Sequence, residues 1–113
     1  MTVQQIGQVI KLQPEAYEEY KRLHADVWPD VLATLHNANI RNYSIFHWNG
    51  LLFAYMEYIG ADYEADMAAI ADDPKTREWW QLTDPLQHPV ESNSSGSIEG
   101  NWWKNMEILF HTD

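Results

Sequence analysis

The chain has 113 residues, enough for one domain with one hydrophobic core. Its 17 acidic against 7 basic residues give a formal charge of −10, which argues against nucleic acid or an anionic membrane as partner. Cysteine is absent, so disulfide frameworks, thiolate metal sites and cysteine nucleophiles are excluded together.

Six Trp, six Tyr and three Phe are many for this length. A buried Trp needs a partner for its N–H, so this density predicts an interface, a ligand pocket, or both. Residues 1–12 lack the basic start and apolar run of a signal peptide. No segment approaches the ~20 apolar residues of a membrane span. A single cytoplasmic domain over residues 1–113 is expected.

In chain order, Thr2 to Leu12 alternates loosely and predicts a first strand, with Gly7 as a bulge. Pro14 then suits a helix start, with Glu15 and Glu18 in the early turns where the helix dipole favours carboxylates. This helix should run to about Ala25, with Glu18 and Arg22 spaced for a surface pair. Pro29 lacks an N–H and biases Trp28 away from helix, so a break is expected over Asp26 to Pro29. A second helical piece follows from Asp30 to Asn37.

Ile40 to Trp48 and Leu51 to Ile59 are the clearest strands, joined by the hairpin signal Asn49-Gly50. Tyr43, Ile45 and His47 share one face of the first; Asn42, Ser44, Phe46 and Trp48 share the other. Asp62 to Ala71 reads as a helix, and Asp73 can cap another that starts at Pro74 and carries Trp79-Trp80. Asp84-Pro85 and His88-Pro89 should stop it. Glu91 to Gly100 is a Ser- and Gly-rich loop. Asn105 to His111 is a last expected strand, with Met106, Ile108 and Phe110 alternating. The order β-α-β-β-α-β predicts an α+β, ferredoxin-like antiparallel sheet with helices on one face. The other face, with Phe46 and Trp48, would suit a sheet-to-sheet homodimer.

Within the first helix, Tyr20 and His24 are four apart and therefore neighbours on one face. Periodicity alone is equally served by two core-edge residues with their polar tips in water. His36, His47, His88 and His111 have no motif around them, though His47 shares a strand face with Tyr43. The acidic residues Glu64, Asp66, Asp72 and Asp73 read most simply as a solvated face.

Taken together, Glu18-Glu19-Tyr20-Lys21-Arg22-Leu23-His24, Val27-Trp28-Pro29-Asp30, Asn42-Tyr43-Ser44-Ile45 and Trp79-Trp80 resemble the L-rhamnose mutarotase family over about Thr2 to Phe110. The resemblance implies a dimeric α+β barrel that interconverts sugar anomers without metal or organic cofactor. It implies a proton-donating role for His24 and substrate binding by Tyr20, Tyr43, Trp79 and Trp80. The departure lies near the C-terminus, where the Ser-rich loop is long and Trp102-Trp103 adds a second tandem pair.

The chemistry is compatible with these residue types. Mutarotation moves one proton off the anomeric hydroxyl and another onto the ring oxygen, with no net redox or charge change. An imidazole of ordinary pKa ~6.5 serves both directions. Trp rings can stack on sugar C–H faces, and Tyr hydroxyls both donate and accept. The partner base stays open among Tyr20, Tyr43, Asp26 and a water. L-rhamnose is the expected substrate, with L-fucose as alternative. The rival readings are a cofactor-independent monooxygenase on the same fold and a non-catalytic sugar-binding module.

Overall fold

The computed structural model describes residues 2–91 and 93–113, which form an α+β fold built on one antiparallel sheet. The elements are β1 (Gln4–Leu12), α1 (Tyr17–His24), α2 (Pro29–Asn37), β2 (Ile40–Trp48), β3 (Leu51–Tyr58), α3 (Tyr63–Asp72) and α4 (Pro74–Thr83). A 3-10 turn at Asp84–Leu86 then leads into β4 (Gln87–His88), and β5 (Lys104–Met106) comes last. The sheet order is β2-β3-β1-β4, with β5 also pairing with β1. This is the ferredoxin-like arrangement that the element order predicts.

Local rules explain most boundaries. Asn49 and Gly50 both have positive φ, 53° and 76°, as a two-residue turn matched to strand twist requires. Trp28 is extended at ψ 133°, and Pro29 opens α2, so the break between the first two helices falls where proline demands it. Asp62 accepts from the Ala65 N–H at the start of α3, and Asp73 from the Thr76 N–H at the start of α4.

Four expectations are corrected. Gly7 is not a bulge: β1 pairs with β3 in unbroken register from Gln4↔Tyr58 to Lys11↔Leu51. An added Cβ there would lie 3.4 Å from the Met106 methyl group, about van der Waals contact. Pro14 does not start α1; it lies in a turn where the Ala16 N–H reaches the Gln13 carbonyl. Arg22 pairs with Glu19, three residues away, rather than with Glu18. The last strand is only Lys104–Met106, set against Val9–Gly7. Beyond it Ile108, Leu109 and Phe110 are exposed, because the fold of the single chain offers them no core to enter.

One irregularity has no counterpart in the sequence pattern. The β2–β3 register shifts between Arg41 and Ser44, where Asn42 takes φ 51°. Asn42 Nδ2 donates to Glu57 Oε1 at 2.8 Å and holds the irregularity. Such bulges re-aim the next side chain, here Tyr43.

Alternation on β3 buries Leu52, Ala54, Met56 and Tyr58 on one face. That face carries two apolar clusters. One holds Ile6, Ala38, Ile40, Met56, Tyr58 and Ile70; the other holds Ile10, Leu12, Ala16, Tyr20, Leu52 and Trp102. The opposite face leaves Phe46 and Trp48 62% and 68% exposed. Among the described residues no helix is long and apolar enough to cross a membrane.

Candidate active site

The second cluster contains polar groups. On α1, Tyr20 is buried and His24 half-buried, one turn further on. Their rings stack at 4.1 Å with 22° between planes. His24 Nδ1 lies 2.9 Å from the Tyr20 carbonyl oxygen. A carbonyl can only accept, so Nδ1 carries the hydrogen and donates. In the neutral ring the lone pair is then on Nε2. Burial pulls the His24 imidazole below its ordinary pKa, against the smaller opposing effect of the Tyr20 carbonyl. Neutral imidazole therefore dominates at neutral pH.

An open pocket of ≈460 Å³ lies between α1 and β2. Its lining includes Tyr17, Tyr20, Lys21, His24, Ile45 and His47. Its size falls within the roughly 300–1,000 Å³ of small-molecule sites. Of the lining residues, Tyr17 and His47 meet at 5.0 Å between ring centroids.

The Tyr20 hydroxyl accepts from Gln87 Nε2 at 3.0 Å. Gln87 Oε1 accepts from Trp102 Nε1 at 2.9 Å. Burial raises the Tyr20 phenol pKa most, with Tyr43 and Asp84 adding to it and the Gln87 hydrogen bond opposing. Tyr20 thus stays protonated across the working range. Tyr43 is exposed at 38% of its surface. Burial first, and then Tyr63, push its phenol pKa up to about 12.

The tandem tryptophans part company. Trp79 is buried and meets His24 edge-on at 5.3 Å and Trp28 likewise at 5.3 Å. Trp80 is half-buried and packs on the cluster around Ile6, Met56 and Tyr58. Successive residues on a helix point ~100° apart, so one ring faces each half of the core. The fold therefore brings His24, Tyr20 and Trp79 together and sets Tyr43 within electrostatic range of Tyr20. Trp80 stands apart, and neither tryptophan of the pair nor Tyr43 lines the pocket.

Sequence reasoning did not single out Gln87, which lies between two prolines with no periodic pattern around it. Tyr17 extends the Tyr20–His24 face by one turn on periodicity alone, but no motif gave it a role. Among the described residues no group of three or more His, Asp or Glu could hold a metal ion.

The model of the L-rhamnose mutarotase family matches residues 5–112 of the chain. An L-rhamnose mutarotase of Lactiplantibacillus plantarum is 34% identical over 110 residues, covering 96% of this chain and 97% of that one. Another, of Ligilactobacillus salivarius, is 36% identical over 118 residues and covers 100% of each. The crystal structure of an L-rhamnose mutarotase from Formosa agariphila has a TM-score of 0.74 and covers 97% of this chain and 99% of that one. At 21% identity it shows the shared fold. A family match along nearly the whole chain, with relatives above 30% identity over their full length, means that the chain belongs to the L-rhamnose mutarotase family.

Proposed function

We propose that the chain interconverts the α and β anomers of L-rhamnose, with His24 as its acid–base group. The observation that carries this reading is the His24 ring itself. It is half-buried, held by Nδ1 on the Tyr20 carbonyl, and lines a pocket of ≈460 Å³. Family membership and the names of the relatives supply the substrate.

In ring opening the O1–H bond breaks, C1=O forms, the C1–O5 bond breaks and O5 gains a proton. Neutral His24 takes the first proton at Nε2, and water in the open pocket supplies the second. Rotation about C1–C2 turns the other face of the aldehyde toward the O5 hydroxyl. The imidazolium then returns its proton to the carbonyl oxygen as O5 closes on C1, and the O5 proton passes back to the hydroxide that the water had become. The raised pKa values of Tyr20 and Tyr43 speak against either phenol as the base. A protonated Tyr20, which lines the pocket, suits a hydrogen-bond donor to a sugar oxygen. One positioned acid–base group contributes roughly 10²–10⁴ in rate.

Saturation-transfer NMR on L-rhamnose, with L-fucose in parallel, tests the reading. The protein should accelerate anomer exchange of L-rhamnose, and His24→Ala should return exchange to the buffer rate while remaining folded. No acceleration by the unaltered protein would remove the activity; full acceleration by His24→Ala would remove the role of His24. The same reading includes a homodimer joined through the outer sheet face, where Phe46 and Trp48 are exposed. Light scattering should give twice 13.2 kDa, and a mass of 13.2 kDa would remove the dimer.

A further inference from the structure

Three side chains that are distant in sequence form one buried hydrogen-bonded line from the Ser-rich loop to the pocket. Trp102 Nε1 reaches Gln87 Oε1 at 2.9 Å, and Gln87 Nε2 reaches the Tyr20 hydroxyl at 3.0 Å. All three residues are at most 8% exposed. Their placement is built into the backbone. Gln87 pairs with Leu12 in β4, and its carbonyl accepts from Gln13 Nε2 at 3.3 Å. On the other side, Asp84 accepts from both the N–H and the hydroxyl of Ser97, at 2.9 and 2.6 Å. That contact ties the loop to the 3-10 turn just before Gln87 and delivers Trp102 to the amide.

The line has a fixed polarity. An indole N–H can only donate, so the Gln87 oxygen must face Trp102. The amide nitrogen must then face Tyr20, and it can only donate. Tyr20 therefore accepts from Gln87 on one side of its oxygen. Its own hydrogen, which lies in the ring plane, is confined to the other side. Among the described residues none accepts that hydrogen, and Tyr20 lines the pocket.

We infer that Trp102 and Gln87 are positioning residues which turn the Tyr20 hydroxyl into an obligate hydrogen-bond donor to a bound sugar oxygen. This rests on the mutarotase reading of the same pocket. It also gives the second tandem pair a role, since Trp102 sets the direction of a donor that it does not touch. A neutral donor at that point binds a hydroxyl or ring oxygen lone pair and disfavours a ligand group that can only donate.

Reversing the polarity without changing the shape is the decisive experiment. In Gln87→Glu the carboxylate accepts at both ends, so Tyr20 must donate inward and the pocket loses its donor. At pH 8 kcat/KM on L-rhamnose should fall roughly tenfold, the scale of one lost hydrogen bond. Adding Tyr20→Phe to Gln87→Glu should then cost nothing further. Lowering the pH until the introduced carboxylate is protonated should restore the donor and recover the loss relative to the unaltered protein at the same pH. A purely structural role for Gln87 would show no such recovery. Unaltered kcat/KM in Gln87→Glu at pH 8, or losses that add in full to those of Tyr20→Phe, would overturn the inference. Should Gln87→Glu not fold, Trp102→Phe frees the amide to flip and should raise KM severalfold, and an unchanged KM overturns the inference equally. The line can also be read without any sugar. In Gln87→Leu the Trp102 indole proton resonance should shift and lose protection from exchange; an unmoved resonance refutes the line. Failure of the unaltered protein to act on L-rhamnose is a separate result, and it removes the activity rather than the line.

Discussion

Two buried tyrosines occupy the two halves of the core and use their hydroxyls differently. Tyr58, in the half around Ile6 and Ile70, donates to Asp66 Oδ2 at 2.5 Å and accepts from the Asp62 N–H at 3.0 Å. Asp66 accepts in addition from Asn39 Nδ2 at 3.0 Å. Both capacities of this phenol are consumed within the chain. Tyr20, in the other half, accepts from Gln87 and gives its proton to none of the described residues. Trp79 and Trp80 repeat the contrast one residue apart: Trp79 meets His24, and Trp80 completes the half that holds Tyr58. A satisfied phenol stabilises a fold. A phenol satisfied on one side only is available to a ligand. Burial and aromatic content therefore do not separate core from candidate site here; the direction of the remaining hydrogen does.

The largest effect expected from breaking this comparison comes from exchanging the two phenols for phenylalanine. Tyr20→Phe strands the Gln87 amide and removes the donor, so both stability and catalysed exchange should fall, the latter by about tenfold or more. Tyr58→Phe strands part of the Asp66 carboxylate and the Asp62 N–H, at about 1–3 kcal/mol. For a chain of this size that lowers Tm by roughly 4–8 °C per kcal/mol, with kcat/KM unchanged. Trp79→Phe should behave like Tyr20→Phe, and Trp80→Phe like Tyr58→Phe. Thermal melts beside exchange rates from NMR separate the two behaviours. Equal losses of activity from both halves would dissolve the distinction.

Much of the frame behind this contrast was legible locally. The Asn49-Gly50 turn, the break at Pro29 and the Asp62 and Asp73 caps follow from rules that act within four residues. So did the adjacency of Tyr20 and His24, though its chemical meaning came from the family resemblance. The rest depends on partners distant in sequence. Gln87 meets Tyr20 across 67 positions and Trp102 across 15, and no spacing pattern encodes either contact. The ~100° between Trp79 and Trp80 separates the two rings but does not say which meets the histidine. The Asn42 irregularity was hidden because a residue with positive φ inside an alternating strand leaves the alternation nearly intact. The apolar alternation of Met106, Ile108 and Phe110 read as a strand, yet only its first residue joins β1, since alternation reports apolar faces and not the presence of an edge to pair with.

A smaller effect, in pH, sharpens the same contrast. Burial lowers the His24 pKa, so the neutral ring, the form that takes the proton in the proposed mechanism, persists below the ordinary value of ~6.5. Catalysed exchange, corrected for the buffer rate, should hold level as pH falls past 6.5 and drop only a few-fold per half unit beneath the lowered value. In the other half the titrating group is Asp66, whose pKa is lowered by its hydrogen bonds from Tyr58 and then Asn39. A carboxylate with a depressed folded pKa adds stability that is complete above the unfolded value of ~3.9 and disappears as pH falls through the folded one. Activity should therefore be lost at a higher pH than stability, with an interval in which the protein is folded and slow. Returning the sample to pH 7 from that interval should restore exchange at once, because losing a proton from His24 requires no refolding. Coincident loss of activity and of near-ultraviolet circular dichroism would instead place the acid limb in unfolding, and the titration of His24 would no longer explain it.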